Sequence, residues 1–281
     1  MSETDSWLAF TVIGAGVTTV GSLIAMGIKE FFATAYLEKF KARQSASAVY
    51  RKFRDPISLS AQELCSRLRE ILIDDHSFLD LDVLNIPAGT ARYNTADDPQ
   101  YRLYKFHSTL YRFCSLFGWF ELYRQELTFL DAGNNKQNAE FDTARAGIRS
   151  ALADGHITPH DDWEDWEDRL ILREEQRAIG EMMFADKRTD RRIVSYGEFV
   201  ERFFISQIGG ANRWFEIAKD FFGNYGQKEK DFRTDRLWLL LVHLLKMLEA
   251  TNSALVTERL TNVKQQALEE IRKRGLIPDL A

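Results

Sequence analysis

The longest apolar stretch of the chain lies near its N-terminus and contains no charged residue. It runs from Trp7 to Ile28 and is 22 residues long. As a helix that rises about 1.5 Å per residue, the stretch measures about 33 Å, enough to cross the hydrocarbon core of a bilayer. A buried core helix rarely needs more than about 14 uncharged residues in a row. The pattern therefore predicts a transmembrane helix over residues 7–28, preceded by a short extracytoplasmic tail, residues 1–6.

The charges on the two sides of this stretch differ in sign. Residues 1–6 contain Glu3 and Asp5 but no Lys or Arg, whereas residues 29–54 carry seven cations against two acids. Because cationic segments resist translocation, we expect the N-terminus outside and the long C-terminal part in the cytoplasm. Each cation near the surface also attracts anionic lipid headgroups by about 1 kcal/mol. The basic residues predicted to lie at the membrane surface are Lys29, Lys39, Lys41 and Arg43.

A cleaved signal peptide is the alternative interpretation of the same stretch. Residues 33–35, Ala-Thr-Ala, resemble a small-residue cleavage site. However, the residues before the stretch are acidic where a signal peptide is basic, and the apolar run exceeds the usual length of about 7–15 residues. The sequence therefore favours a retained anchor.

The predicted transmembrane helix has one face of small and hydroxyl-bearing residues. Small side chains allow two membrane helices to approach closely, and hydroxyl groups can form hydrogen bonds across the contact. Alternatively, the hydroxyl groups form hydrogen bonds with their own backbone, and the small residues are present because such residues are common in membrane helices. The pattern predicts a homo-oligomer, or a ring whose Thr and Ser residues line a pore. The helix-association face consists of Thr11, Gly14, Ala15, Thr18, Ser22 and Ala25.

The rest of the chain shows hydrophobic residues at helical spacing and no convincing strand pattern. We therefore predict an all-α fold, with one N-terminal transmembrane helix, a basic juxtamembrane helix at residues 29–54 and a multi-helix cytosolic domain at residues 55–281. Asp55-Pro56 is typical of a helix start, because Asp caps helices and Pro favours their first position. The predicted helices are 56–74, 100–130, 137–153, a segment from the acidic run 161–168 to 185, 195–208, 212–222, 237–248 and 253–274.

Two of these segments carry a strong core pattern. In residues 100–130, large apolar residues recur at spacings of three and four, and Gly118 among them indicates close packing against another element. Residues 237–248 are intensely apolar but too short to cross a membrane, so they predict a buried helix. The predicted core stripe of the first segment is Leu103, Phe106, Leu110, Phe113, Phe117 and Phe120.

Composition narrows the class of protein. The chain of 281 residues is 45% hydrophobic and 28% charged, as expected for a globular protein. Its net charge of −5 argues against a nucleic-acid binder, whose domain is usually basic. Cys65 and Cys114 are too few and too far apart in sequence for a disulfide framework or a zinc site, which fits a reducing cytoplasm.

Motifs that carry catalytic chemistry are almost absent. The chain has no phosphate-binding Gly-rich loop, no H-E-x-x-H, no G-x-S-x-G and no C-x-x-C. The best candidate is the group His156, His160 and Asp161, in which the His160-Asp161 doublet resembles the signature of HD-type metal phosphohydrolases. That family implies a further upstream His and a downstream Asp, for which His107 and Asp190 are the available residues. Imidazoles and carboxylates suit a divalent metal, but polar residues are also expected in any solvated loop.

Two further charged clusters have simple structural interpretations. The acidic run 161–168 has oxygen ligands for Ca²⁺ but lacks the EF-hand spacing, and acids also favour a helix start. The charged residues of 173–181 predict an ion-pair network, in which Arg177 and Glu181 are spaced for a pair along one helix.

Three segments, residues 50–72, 103–131 and 174–183, resemble a loosely defined group of uncharacterised bacterial proteins. That group pairs one N-terminal membrane helix with a helical cytosolic domain, which implies a location in the bacterial inner membrane. The architecture is also similar to membrane effectors of antiphage systems, in which a cytosolic domain controls an oligomeric gate.

The sequence as a whole predicts a protein that works by association in the membrane, as a sensor, scaffold or oligomeric effector. No cofactor is expected, and the expected partners are the lipid bilayer, a second copy of the chain and possible cytosolic proteins. The alternatives are a membrane-tethered HD-type phosphohydrolase and a pore-forming antiphage effector.

Overall fold

The computed structural model describes residues 48–74, 77–85, 98–126, 136–157, 170–185, 192–205, 212–226, 231–251 and 253–276. The chain divides into two units, of which the second, Val49–Thr128 with Asn134–Ala281, contains every described residue except Ala48. The predicted transmembrane helix, its association face (Thr11, Gly14, Ala15, Thr18, Ser22 and Ala25) and the basic residues Lys29, Lys39, Lys41 and Arg43 lie outside the described residues.

The described residues form α-helices, which confirms the predicted all-α class for this part of the chain. Short 3-10 turns lie at Ser77–Leu79, Leu81–Asn85 and Ser253–Leu255, and π-helical turns extend α1 and α5. An isolated antiparallel bridge joins Phe184 and Ile193. The helices are α1 (residues 48–69, then the π turn Glu70–Asp74), α2 (Pro99–Glu126), α3 (Lys136–Ala153), α4 (Arg173–Met182), α5 (Tyr196–Val200, then the π turn Glu201–Ile205), α6 (Arg213–Phe222), α7 (Arg233–Thr251) and α8 (Glu258–Lys273).

Helix α2 lies against many of the other elements. It packs against α4, α5, α6 and the 3-10 turns that follow α1. All six residues of its predicted core stripe are buried, as the spacing of three and four required. The ring of Phe113, for example, lies 5.0 Å from Phe117 and 5.1 Å from Phe222, in tilted and edge-on arrangements that aromatic pairs prefer.

Helix α7 is the second core element, and it packs against α3 and α8. Leu237 to Leu248, predicted as a buried helix, lie within α7, and their apolar side chains are buried. Within the part of the chain that the structure describes, no helix combines the length and apolar character needed to cross a bilayer.

Glycines allow unusually close approaches to α2 at two places. A Cβ atom at Gly118 of α2 would lie 2.9 Å from Ile193 and 3.0 Å from Met183, which confirms the close packing predicted there. A Cβ atom at Gly180 of α4 would lie only 2.4 Å from the carbonyl oxygen of Phe117. The backbones of α2 and α4 are therefore in direct contact at Gly180.

The helix start predicted at Asp55-Pro56 is wrong. Helix α1 is continuous over residues 48–69, and Pro56 lies inside it. An interior proline costs about 3 kcal/mol, because it lacks an N–H and clashes with the preceding turn. Phe53 and Ile57 are buried on either side of Pro56. Full burial of such side chains contributes about 1.5–3 kcal/mol each, which offsets the proline.

Other helix boundaries show where local patterns succeed and fail. The helix predicted over residues 195–208 begins with a capping box of Ser195 and Glu198, in which the Ser195 N–H donates to Glu198 Oε2 at 2.8 Å. Helix α4, however, begins at Arg173 and does not include Leu170. The Ile171 N–H instead donates to the Leu152 carbonyl at 3.0 Å, so tertiary pairing holds this segment out of the helix.

The contact at Gly180 predicts a large effect of a single methyl group. Gly180→Ala should lower the free energy of unfolding by about 1–3 kcal/mol, because the new Cβ overpacks the α2–α4 crossing. Gly197→Ala is the matched control, since a Cβ there meets nothing within 4 Å. Urea unfolding of the full-length protein in detergent measures both. Equal stability of the two variants would contradict the described crossing.

Candidate functional site

The predicted metal ligands are not brought together among the described residues. His156 is exposed just after the C-terminal end of α3, while His160, Asp161 and Asp190 lie outside the described residues. Across the described ranges, no group of three or more His, Cys, Asp or Glu side chains is placed to hold a metal ion. His107 is buried, and its ring lies 3.7 Å from that of Phe204. The metal-site hypothesis stays a prediction.

His243 is a second buried histidine, on α7. Its ring lies against Gly147 of α3, where a Cβ atom would come within 2.2 Å of Nδ1. Neither ring nitrogen has a hydrogen-bond partner in the described structure. Burial, and then the charge of Lys246, lowers the pKa of His243 to about 4. This imidazole is therefore neutral at physiological pH and contributes to the packing of α3 against α7.

A buried ion network joins α1 to α2. Arg67 is 2% exposed, and its Nη2 donates to Ser108 Oγ at 2.9 Å. Its Nη1 lies 3.1 Å from Glu70 Oε2, close enough for an ion pair but not aligned for a hydrogen bond. Lys105 Nζ lies 2.6 Å from the same Glu70 oxygen. Burial raises the pKa of Glu70, but the Lys105 hydrogen bond and the charges of Arg67 and Lys105 outweigh it and lower that pKa.

A small cleft whose lining includes four arginines lies where α2, α3 and α4 meet. The close approach of α4 to α2 at Gly180 brings Gln176 and Arg177, one turn earlier on α4, next to α2. The cavity has a volume of about 20 Å³. We call this site the arginine cleft; it is lined by Phe117, Phe120, Glu121 and Arg124 from α2, Arg145 and Arg149 from α3, and Gln176 and Arg177 from α4.

Glu121 is the acidic residue of the cleft lining, and its charge is already compensated. Its side chain is 3% exposed. Arg124 Nε donates to its Oε2 at 2.8 Å, and Gln125 Nε2 donates to its Oε1 at 3.1 Å. A buried carboxylate needs such partners, because desolvation of an unpaired charge is costly. Glu121 therefore neutralises Arg124 and leaves the other arginines uncompensated by the lining.

Arg149 makes the cleft positively charged. Its Nη2 donates to the Arg173 carbonyl at 3.0 Å, and no carboxylate of the described residues lies within 4 Å of its guanidinium. Burial, followed by the charges of Arg177, Arg145 and Arg173, lowers the pKa of Arg149. Arg145 pairs with Asp142 at 2.9 Å. The cleft thus holds one arginine that lacks a paired carboxylate among the described residues.

Gln176 also lines the cleft and carries an unpaired acceptor that is buried from solvent. It is 1% exposed, and its Nε2 donates to the Arg149 carbonyl at 3.0 Å and the Ile171 carbonyl at 2.7 Å. These two bonds fix the orientation of the amide group. Its Oε1 accepts no hydrogen bond in the described structure. A buried acceptor left unpaired costs about 1–3 kcal/mol.

Sequence reasoning identified only one side of this cleft. Of the ion-pair network predicted for residues 173–181, the structure shows separate pairs: Arg173 pairs with Asp154, just beyond the end of α3, at 3.3 Å. Arg177, predicted to pair with Glu181, lies instead 3.9 Å from Glu174. The residues contributed by α2 and α3 carry no local motif and were missed, since only folding brings residues 117–124 beside residues 145–149.

Comparisons with known proteins assign neither a family nor a function to the chain. No family model, curated protein or solved structure matches the chain. The resemblance to a group of bacterial membrane proteins therefore stays an expectation. The function of the arginine cleft has to be inferred from its own residues.

The buried His243 predicts a pH dependence of stability. Its pKa is about 4 in the folded state against an ordinary value of 6.5. The unfolded chain therefore binds the additional proton as the pH falls from about 6.5 to about 4, and stability is lost over that window. His243→Leu should reduce this loss, because leucine takes up no proton and no hydrogen bond of His243 is lost. Part of the loss should remain, since burial also lowers the pKa of His107 to about 4.

Urea unfolding at neutral pH and near pH 4 measures this effect. His156→Gln is the control, because His156 is exposed, and it should keep the wild-type pH dependence. An H243L variant with the full wild-type loss of stability would show that His243 does not titrate as described.

Proposed function

We propose that this protein is anchored in the bacterial inner membrane by residues 7–28 and acts by association, as a sensor, scaffold or oligomeric effector. One observation carries the proposal: a run of 22 uncharged residues, preceded by two acids and followed by a segment with seven cations. Such a run is long enough to span a bilayer, and the charge difference favours a cytoplasmic C-terminal part. The helical unit would then work at the inner face of the membrane.

The packing of α1 shows that the first described helix is an integral part of the helical unit. The Tyr50 ring lies 5.5 Å from Phe141 of α3, and the Phe53 ring lies 6.1 Å from Tyr123 of α2. Both side chains are buried. The N-terminal part of α1 is therefore held by α2 and α3.

The association face of the predicted span supports a homo-oligomer. Gly14, Thr18 and Ser22 follow one another at intervals of four, a small-residue spacing that permits close helix contact. A pore-forming effector would require the same membrane assembly and, in addition, a conducting path. Conductance in liposomes separates these two forms of the proposal, while a stable complex with a cytosolic protein would indicate a scaffold.

The orientation of the anchor can be tested by cysteine labelling, for which the chain is well suited. Cys65 and Cys114 are fully buried, and burial raises the pKa of both thiols, so the native background is unreactive. In intact spheroplasts, an impermeant maleimide should label Thr4→Cys at once. It should label Thr261→Cys, at an exposed position of α8, only after the membrane is permeabilised. The reverse labelling pattern would refute the proposed orientation. A protein found in the soluble fraction and not in the membrane fraction would refute the anchoring.

The association face predicts which substitutions separate the copies. Gly14→Leu and Thr18→Leu place bulky side chains in the proposed contact and should weaken association at least about tenfold, or roughly 1.4 kcal/mol. Val17→Leu lies on the opposite, aliphatic face and should leave the assembly intact. Light scattering of the full-length protein in mild detergent gives the mass of each variant. A monomeric wild type, or equal masses for all variants, would exclude association through this face.

A further inference from the structure

We propose that the contact between α3 and α7 is an acid-sensitive joint, in which a proton on His243 separates α3 from α7 before the rest of the helical unit unfolds. The loss of stability at low pH concerns the whole unit, whereas the joint concerns a single helix. The joint depends on residues of α3 and α7. It can therefore be measured whether or not residues 7–28 insert into a membrane.

The imidazole of His243 lies directly against the backbone of α3. A Cβ atom at Gly147 would come within 2.2 Å of its Nδ1 and 2.3 Å of its Cε1. His243 is 6% exposed, and neither ring nitrogen has a hydrogen-bond partner among the described residues. A protonated imidazole carries two N–H donors and a positive charge, and burial of an unpaired charge is costly. Protonation therefore favours a state in which α3 has moved away and His243 is hydrated.

The charges around His243 do not compensate a proton. On α7, Lys246 lies one turn away, and its charge adds to burial in lowering the pKa of His243 to about 4. Among the described residues, no charged group of α1, α3 or α8 contributes to that shift. The positions of α3 one turn from Gly147 carry no charge; they are Thr143, Ala144, Ser150 and Ala151.

Helix α3 can separate without dismantling the contacts of α2. It packs mainly against α7, with a smaller contact to α4, whereas α2 packs against α4, α5 and α6. A helix of 18 residues that lacks tertiary contacts is marginal in water, so α3 should lose its own hydrogen bonds once it is detached. The other described buried histidine, His107, lies on α2 against Phe204, away from the joint.

Detachment uncovers an apolar surface on α3. Exposed apolar patches promote contacts with other molecules. Acid would thereby give the proposed sensor a new surface for association, and only in this respect does the inference rest on the proposed function. The residues of α3 that are buried in the closed unit are Phe141, Ala144, Ile148, Ala151 and Leu152.

Hydrogen–deuterium exchange of the full-length protein in neutral detergent, at pH 7 and at pH 5, tests the joint. The pKa of His243 is about 4 with α3 in place, against an ordinary value of 6.5, so opening becomes about twentyfold more favourable between these two pH values. The protection factors of the α3 amides, corrected for intrinsic exchange rates, should fall by this factor. At pH 5 they should also be lower than those of α2, which exchanges only when the whole unit unfolds.

Matched histidine variants separate the joint from global unfolding. His243→Leu should remove the fall in α3 protection, and His243→Gln should do the same if the leucine variant does not fold, since neither side chain takes up a proton. His107→Leu should keep the full fall, because His107 stays buried when only α3 detaches.

Three results would overturn the inference. Equal α3 protection at pH 7 and pH 5 in the wild type would show that the contact does not respond to acid. A smaller fall in the H107L variant would show that α3 exchanges through global unfolding. An undiminished fall in the H243L or H243Q variant would assign the proton to another group. An acid-sensitive α3 in a chain that fails the labelling test would retain the joint while rejecting the membrane anchor.

Discussion

The contact between the backbones of α2 and α4 at Gly180 is the constraint on which much of the described structure depends. It brings α4 so near that a Cβ atom at Gly180 would also lie 3.0 Å from the Cβ of Glu121. The same approach positions Gln176 and Arg177 beside α2. The packing of α4 on α2 and the shape of the arginine cleft therefore depend on the same contact. A substitution at Gly180 would alter both.

Local sequence patterns predicted those elements whose structure depends on local interactions. The stripe of α2, the capping box at Ser195 and the buried run of α7 all follow from spacing within one helix. The start of α1 could not be predicted in this way, because the tertiary burial of Phe53 and Ile57 overrides the signal of Pro56. The same holds for the residues before α4, which pair with the end of α3.

The arginine cleft could not be predicted from the sequence, for a different reason. Its charged residues come from three helices, and within each helix they form ordinary pairs, such as Arg145 with Asp142 three residues earlier. The property that distinguishes the site is what remains after pairing, namely the charge of Arg149 and the acceptor of Gln176. Unpaired groups of this kind can be identified only when the contacts of all neighbouring residues are known.

Tyr123 of α2 contacts residues of two other helices, α1 and α3. The guanidinium of Arg145 lies 5.6 Å above its ring, and the ring of Phe53 packs against it from α1. Packed interiors resist compression and pass small displacements on to their neighbours. A shift of Arg145 would therefore reach α1 through a single aromatic ring, without any loop in between. The cleft and α1, the first described helix, are therefore coupled through one side chain.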